Sequence, residues 1–278
     1  MKQFILKKIL PAVGLLALAA IGYFVFFIPA EFRAQADPAP MCQSQFFDKS
    51  ALVLDSLLIC GTKDVPADKL THAANVAAEW LDNDGDGIAD EPRLIETFKT
   101  SKPVIVMSST GISTSAMPRI MSAFSGHQIQ DLYASETNPG NNQRDASQEE
   151  IHHVIINGGW QKLYPTVFSE TASDNSKLYQ AWKIADNNSF YVYNDPTCND
   201  SCKVTEFVYL ATAAYMEKGA ELDLASDEMR LKNREQLAEQ IPAVIEIFES
   251  AEYVYPTDHW PTGSYNHPKN IETFGLSK

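Results

Sequence analysis

The sequence predicts a mainly α fold, or α+β with a small sheet, because helical patterns outnumber strand patterns along the chain. Apolar residues recur at helical spacing in several segments, whereas apolar runs of strand length occur only at 51–59, 104–107 and 190–193. Hydrophobic residues make up 45% of the 278 residues, which suffices for a buried core.

Residues 37–50 are predicted to be a linker, and residues 51–278 a single globular domain. The domain opens with a strand at 51–59. Pro66 suits the first turn of a helix that runs to Leu81, and Asp90 suits the N-cap of a second helix over 91–100. Further helices are predicted at 113–124, 147–157, 173–185, 204–216, 228–239 and 242–250. Ser147 and Glu150 fit a capping box, and Gly158-Gly159 is expected to end that helix.

The first 36 residues are predicted to be a secretory signal or an N-terminal anchor. Three lysines precede an uncharged run of 22 residues from Ile9 to Ala30, and Ala34-Gln35-Ala36 then offers small residues for cleavage. A run of this length can also span a bilayer uncleaved, and it would then be the protein's one membrane attachment. Either way, the basic flank predicts that the rest of the chain is exported, to the periplasm or outside the cell.

The chain is strongly acidic, with a net charge of −14. Residues 1–36 hold four basic residues and one acidic residue, so the exported part is more acidic still. This charge disfavours nucleic acid and anionic membrane surfaces as partners and favours divalent cations.

Four cysteines, at positions 42, 60, 198 and 202, can pair in three ways. Proximity along the chain favours Cys42–Cys60 and Cys198–Cys202 in an oxidising compartment. The alternative for the second pair is a zinc-binding C-x-x-x-C pattern.

The most specific metal-binding pattern is the loop 82–91, called here the calcium loop. Aspartates at its positions 1, 3 and 5, with glycine at position 6, gather the hard oxygen ligands that Ca²⁺ requires. The predicted ligands are Asp82, Asp84, Asp86, the carbonyl of Ile88, Asp90 and Glu91. The helix–loop–helix is EF-hand-like, although Arg93 occupies position 12, where an EF-hand has glutamate. The alternative is a polar loop that binds no ion.

A second pattern, Glu149-Glu150-Ile151-His152-His153, resembles the zincin motif H-E-x-x-H with glutamate in place of the first histidine. Glu149 and His153 lie four residues apart on one helix face and are predicted zinc ligands, with Glu150 as the general base. The fold class expected from this pattern is a zincin-like domain. The alternative is a solvated acidic helix start, in which glutamates favour the first turn.

A third zinc ligand must come from elsewhere, and Glu206 is the first choice. It is a lone acid in an apolar helix, where an unpaired carboxylate would be costly. His127 and Glu136 are the other candidates. His152 could instead pair with Glu149, and either His152 or Tyr209 could stabilise an oxyanion.

Several of these segments together resemble a family of secreted bacterial and algal proteins. The matching segments are His72-Ala73-Ala74-Asn75-Val76, Leu81 to Gly87, Arg144-Asp145-Ala146 with Glu149-Glu150-Ile151 and His153, Tyr164-Pro165, Tyr191 to Asp195, Cys198, Cys202 and Thr205 to Tyr209. The resemblance covers most of residues 53–265. It implies one continuous domain and places His153 and Glu206 in one site, without implying an activity.

Two hypotheses of function follow. The first is an exported zinc hydrolase, such as a peptidase, with a structural Ca²⁺ site. The second is a non-catalytic, calcium-stabilised binding module at the cell surface that takes a peptide or glycan ligand.

Overall fold

The computed structural model describes residues 42, 46–113, 115–140, 143–218 and 228–276, and a five-stranded mixed sheet lies at its centre. The strands are β1 (Lys49–Val53), β2 (Leu57–Gly61), β3 (Pro103–Ser108), β4 (Gln128–Tyr133) and β5 (Ile271–Phe274). Their order across the sheet is β4-β3-β2-β1-β5. Strands β2, β3 and β4 are parallel, while β1 is antiparallel to both β2 and β5.

Helices connect and cover these strands. They are α1 (Ala67–Leu81), α2 (Pro92–Ser101), α3 (Met117–Ala123), α4 (Ala146–Ile155), α5 (Gln161–Leu163), α6 (Pro165–Phe168), α7 (Lys177–Asn187), α8 (Asp200–Tyr215), α9 (Arg234–Gln240) and α10 (Pro242–Phe248). A π-helical turn (Ile156–Trp160) continues α4 into α5, and a 3₁₀ turn (Pro268–Asn270) precedes β5.

The prediction of a mainly α, zincin-like domain with an EF-hand-like helix–loop–helix is wrong. The structure is α+β with a mixed sheet of five strands, and its described residues form neither fold. The stretch 49–61 is a hairpin of two strands rather than one strand. Strand β4 alternates polar and apolar residues at one edge of the sheet, and the short strand β5 lies at the other edge near the C-terminus. Neither strand therefore has the continuous apolar run of a buried strand.

The predicted end of α4 is also wrong, because Gly158-Gly159 lies inside the π-helical turn. A Cβ added to Gly159 would lie 2.3 Å from Leu94 Cδ1 on α2. Glycine is therefore needed there for close packing of two helices, and its tendency to end helices is overridden.

The core lies on both faces of the sheet. Apolar side chains of α1, α4, α7 and α8 cover one face. A smaller cluster covers the other face and consists of Cys42, Phe47, Leu58, Cys60, Val104, Val106, Ile120 and Phe124. Helices α4 and α8, which carry the predicted zinc ligands, are therefore held together within the larger apolar cluster.

Both predicted disulfides are confirmed. Cys42 is bonded to Cys60 with a Cα–Cα distance of 5.6 Å, and Cys198 to Cys202 with 5.3 Å. The bonds indicate an oxidising, exported location. The predicted signal or anchor at 1–36 lies outside the described residues, and no helix within those residues is long and apolar enough to cross a membrane.

Candidate metal centre

The calcium loop gathers three of its predicted ligands at one point. Carboxylate oxygens of Asp82, Asp84 and Asp86 lie within 4.8 Å of one another. The backbone N–H of Asp86 donates to Asp82 Oδ1 over 3.0 Å. Gly87 adopts a φ of +93°, which only glycine takes without strain, so the chain turns tightly enough to bring the carboxylates together.

The other three predicted calcium ligands differ in position. The carboxylate of Asp90 accepts from the backbone N–H of Asn83 inside the loop over 2.8 Å, and burial together with the charges of Asp84 and Asp82 raises the pKa of Asp90 to about 6. Ile88 donates its backbone N–H within the loop and exposes its side chain. Glu91 instead caps α2 by accepting from the N–H of Arg93 over 2.9 Å, and it pairs with the guanidinium of Arg93.

The C-terminal tail (residues 254–276) closes over the calcium loop, which sequence reasoning missed. The hydroxyl of Tyr265 donates to Asp82, and His267 Nε2 lies 2.9 Å from the carbonyl oxygen of Gly85. A cavity of about 310 Å³ lies between loop and tail. These contacts join segments far apart in the chain, so no local pattern could reveal them.

Helix α4 carries the Glu-Glu-Ile-His-His segment, and Asp145 fixes its start. The carboxylate of Asp145 accepts from the N–H of Ser147 over 3.1 Å and lies 2.6 Å from Nε2 of His72 on α1. The capping box predicted from Ser147 and Glu150 is therefore wrong. Because Asp145 satisfies the helix start, the carboxylate of Glu150 is available for another contact.

The three predicted zinc ligands come together in what is called here the Glu–His–Glu cluster (Glu149, His153 and Glu206). One ligand atom from each residue lies within 4.8 Å of the others. Glu149 and His153 are one turn apart on α4, and Glu206 comes from α8. His153 Nε2 is 3.5 Å from Glu206 Oε2, yet it is buried and has no hydrogen-bond partner in the structure described.

Burial and negative charge shape the protonation of this cluster. Burial and the neighbouring Glu149 and Glu150 raise the pKa of Glu206 to about 8, against the opposing effect of His153. Burial opposes a charge on His153, but the surrounding glutamates raise its pKa to about 9. Arg144 supplies one further cation, with Nη2 2.8 Å from Glu149 Oε2. The cluster therefore holds protons strongly, as expected where carboxylates are partly buried close to one another.

Glu150, the predicted general base, lies on the other side of the imidazole. Its Oε2 is 3.6 Å from His153 Nδ1, whereas Glu206 faces Nε2. Gln130 on β4 donates its amide to the same oxygen of Glu150. The imidazole of His153 thus stands between two carboxylates, one at each ring nitrogen.

His152 faces the core and not the cluster. Its Nε2 lies 2.8 Å from the hydroxyl of Tyr255, which in turn lies 2.7 Å from Thr212 Oγ1. Since Thr212 donates to the carbonyl of Val208, the chain of donors requires Tyr255 to donate to Thr212 and His152 to donate to Tyr255. Burial and the charge of His153 lower the pKa of His152, in agreement with a neutral ring. His152 is a core histidine.

The remaining sequence candidates occupy other places. His127 contacts the backbone oxygen of Phe124 over 3.2 Å, and Glu136 is exposed; neither belongs to the cluster. The ring of Tyr209 lies edge-on to His153, with centroids 6.1 Å apart. Tyr209 therefore packs beside the metal-ligand candidate through its ring.

A polar cavity of about 320 Å³ adjoins the cluster and is lined by both His153 and Glu206. Asn157, in the π-helical turn, and Glu170 also line it, and both accept from the hydroxyl of Thr205, over 3.2 and 2.8 Å. Sequence reasoning missed these residues. Single π-helical turns are frequent at functional sites, but they leave no recognisable sequence pattern.

No protein-family model, curated protein or solved structure matches this chain significantly. The resemblance to secreted bacterial and algal proteins therefore stays a prediction, and function has to be argued from the site itself.

Proposed function

We propose that this protein is an exported divalent-metal-binding protein whose principal metal lies in the Glu–His–Glu cluster. The observation that carries the proposal is the buried, unpartnered Nε2 of His153, which faces the carboxylate of Glu206 at 3.5 Å. Buried polar atoms normally have partners, and buried charges are paired or coordinate metals. A divalent cation at this point would give Nε2 its missing partner and, in place of the proton on His153, would neutralise the two carboxylates.

The donor set favours a transition metal, with Zn²⁺ as the first choice. One imidazole and two carboxylates are ligands that Zn²⁺ accepts, and three protein ligands leave a fourth position for water or substrate. Imidazole is a poorer ligand for Ca²⁺, which prefers oxygen alone. The acidic residues around the cluster add to the attraction for a divalent ion.

The adjoining cavity extends the proposal to hydrolysis. A zinc centre with an open position lowers the pKa of bound water and so supplies a nucleophile near neutral pH. His153 and Glu206 line a cavity of about 320 Å³, which has room for water and part of a substrate. The position of Glu150 at Nδ1 of His153 fits it better to orient the imidazole than to deprotonate water on the Nε2 side.

The direct test is elemental analysis of the purified protein after dialysis against metal-free buffer and reloading with Zn²⁺. Wild type should retain about one equivalent, and His153→Ala and Glu206→Gln should retain little, because three ligands are needed for tight binding. His127→Ala and Glu136→Gln are the matched controls, since each removes the same chemical group outside the cluster. Equal zinc content in all five proteins would refute the site.

A second site is proposed for Ca²⁺ in the calcium loop, where it would stabilise the fold. Its support is the convergence of Asp82, Asp84 and Asp86 within 4.8 Å together with the raised pKa of Asp90. If the Glu–His–Glu cluster binds no metal, a calcium-stabilised binding module for a peptide or glycan is the remaining function. A zinc-independent melting temperature that rises with Ca²⁺ would distinguish that case.

A further inference from the structure

Glu170 lines the polar cavity beside the Glu–His–Glu cluster, but it is not one of the proposed metal ligands. Only one of its carboxylate oxygens is engaged. Oε2 accepts from the hydroxyl of Thr205 over 2.8 Å and from the amide of Gln161 over 3.0 Å, whereas Oε1 accepts from none of the described residues. An ionised carboxylate accepts through both of its oxygens, so the side chain of Glu170 can still bind a donor that enters the cavity.

Two shared donors hold this carboxylate in place. The hydroxyl of Thr205 and the amide of Gln161 also lie within hydrogen-bond distance of Asn157 Oδ1, at 3.2 and 2.8 Å. Thr205 belongs to α8, and Asn157 belongs to the π-helical turn that continues α4. The position of the Glu170 carboxylate is therefore set by the same two helices that carry the proposed metal ligands.

The unpartnered Nε2 of His153 indicates where a ligand would bind. His153 and Glu206 line the same cavity as Glu170, and Nε2 of His153 is buried with no hydrogen-bond partner among the described residues. A metal ion bound by three protein ligands keeps a fourth position open. A ligand coordinated at that position would therefore share the cavity with the carboxylate of Glu170.

The charges around the cavity favour a cationic ligand group. Glu149 and Glu206 would neutralise a divalent metal, which leaves the carboxylate of Glu170 without a cation. In the part of the chain that the structure describes, no lysine or arginine lines the cavity. The remaining lining residues are neutral: Gln130, Asn157, Asn199, Ser201, Cys202 and Thr205. Because complementary charge gives specificity, an ammonium group is the partner that this carboxylate fits best.

We propose that Glu170 binds a primary ammonium group of a ligand whose carbonyl oxygen coordinates the metal of the Glu–His–Glu cluster. This inference rests on the metal site proposed above. The cavity of about 320 Å³ lies at the lower end of the range for small-molecule sites, so it takes one small residue rather than a long chain. The N-terminal residue of a peptide has this chemistry, since its ammonium group lies next to a carbonyl.

The test uses the full chain loaded with Co²⁺, whose visible absorption reports ligands on the metal. The probes are amino hydroxamates, in which one to four methylene groups separate the ammonium group from the hydroxamate that binds the metal. Each probe is compared with its methyl counterpart, in which a methyl group replaces the ammonium group. At pH 7, wild type should bind one member of the series about tenfold more tightly than its methyl counterpart, as expected for a hydrogen bond between charged groups.

Three variants assign this preference to Glu170. Glu170→Gln should lose the preference but keep its affinity for Co²⁺ and for the methyl counterparts. Glu136→Gln, the same change at an exposed position outside the cavity, should keep the preference. Glu170→Asp retains the charge on a shorter side chain, so the preferred probe should be longer by one methylene group. A purely structural role for Glu170 would change the affinity for all probes alike and would leave the preferred length unchanged.

The outcomes separate this inference from the metal site. Failure of wild type to bind Co²⁺ would overturn both. With Co²⁺ bound, the absence of any ammonium preference in wild type would overturn the inference alone. A preference that persists in Glu170→Gln would also overturn it, because the ammonium group would then be bound elsewhere. If Glu170→Gln does not fold, Glu170→Asp decides, and an unchanged preferred length overturns the inference.

Discussion

Metal removal should make the stability of this protein fall as pH rises, because the Glu–His–Glu cluster holds protons more tightly in the folded chain than in the unfolded chain. The pKa of Glu206 is raised from 4.5 to about 8, and that of His153 from 6.5 to about 9. A group whose pKa is higher in the folded chain than in the unfolded chain stabilises the fold fully at pH values below its unfolded pKa. This stabilisation is lost as pH rises through the folded pKa. For these two groups the loss spans pH 4.5 to about 9.

The size of the effect follows from the rise in the pKa of Glu206. A rise of one in pKa corresponds to about 1.4 kcal/mol of unfolding free energy. The side chain of Glu206 is 14% exposed, so water weakens the effect only partly. Ionising Glu206 in the metal-free protein should cost on the order of 2–4 kcal/mol of unfolding free energy. Bound metal reverses the trend, because it needs deprotonated ligands and therefore stabilises more as pH rises.

The assay is urea unfolding of chelator-treated and Zn²⁺-loaded protein at pH values from 6.5 to 9. This range lies above the pKa of about 6 of Asp90, so that group contributes little to the slope. Metal-free Glu206→Gln should lose less stability than wild type across the range, and Glu136→Gln should lose as much. Metal-free wild-type stability that is constant or rises between pH 6.5 and 9 would refute the reasoning.

Three further predictions concern neighbouring groups. Glu150→Gln should still bind one Zn²⁺ at saturation but with affinity reduced about 10–100-fold, because the substitution weakens the contact that orients the His153 imidazole. Isothermal titration measures this affinity. An unchanged affinity would show that Glu150 does not orient His153. Asp145→Asn should lower the unfolding free energy by about 1–3 kcal/mol at pH 7, since it weakens a helix cap and the pair with His72. Burial opposes the charge on Asp145, but the bonds from His72, Ser147 and Asn138 prevail and lower its pKa. The difference should therefore shrink as pH falls from 3.8 through the lowered folded pKa in acid unfolding curves, and a difference that persists once Asp145 is protonated in the folded chain as well would contradict it. Asp84→Asn should abolish the rise in melting temperature with Ca²⁺, which in wild type corresponds to a stabilisation of about 2.7 kcal/mol at a hundredfold excess of Ca²⁺ over Kd. The exposed control Asp64→Asn should keep this rise. Equal shifts in melting temperature in both variants would exclude the loop as the calcium site.

The free-energy cost of burying a charged group, more than any sequence motif, made the candidate site predictable. Glu206 stands alone in an apolar helix, and the expense of burying an unpaired carboxylate indicates that it faces another polar group. Glu149 and His153 follow from helical spacing alone, because residues four apart share a face. The structure brings these three together, although the zincin-like fold expected around them is wrong.

What could not be predicted depends on contacts between distant segments. The place of the Glu170 carboxylate in the cavity is visible only once its contacts with α5 and α8 are known. The same holds for Gly159, where a local preference to end helices loses to close packing against Leu94. Strand β4 was missed because an edge strand needs apolar residues on one face only.

Helix α1 links the two proposed metal sites mechanically. It ends where the calcium loop begins, and it holds α4 through two contacts: His72 pairs with Asp145 over 2.6 Å, and Trp80 Nε1 donates to the carbonyl of Gln148 over 3.0 Å. The Gln148 carbonyl immediately precedes Glu149 in the chain. An ion that stiffens the calcium loop therefore stiffens the helix against which the Glu–His–Glu cluster is built, because packed helices transmit displacement with little compression. The two proposed metal sites are in this sense one arrangement rather than two unrelated sites.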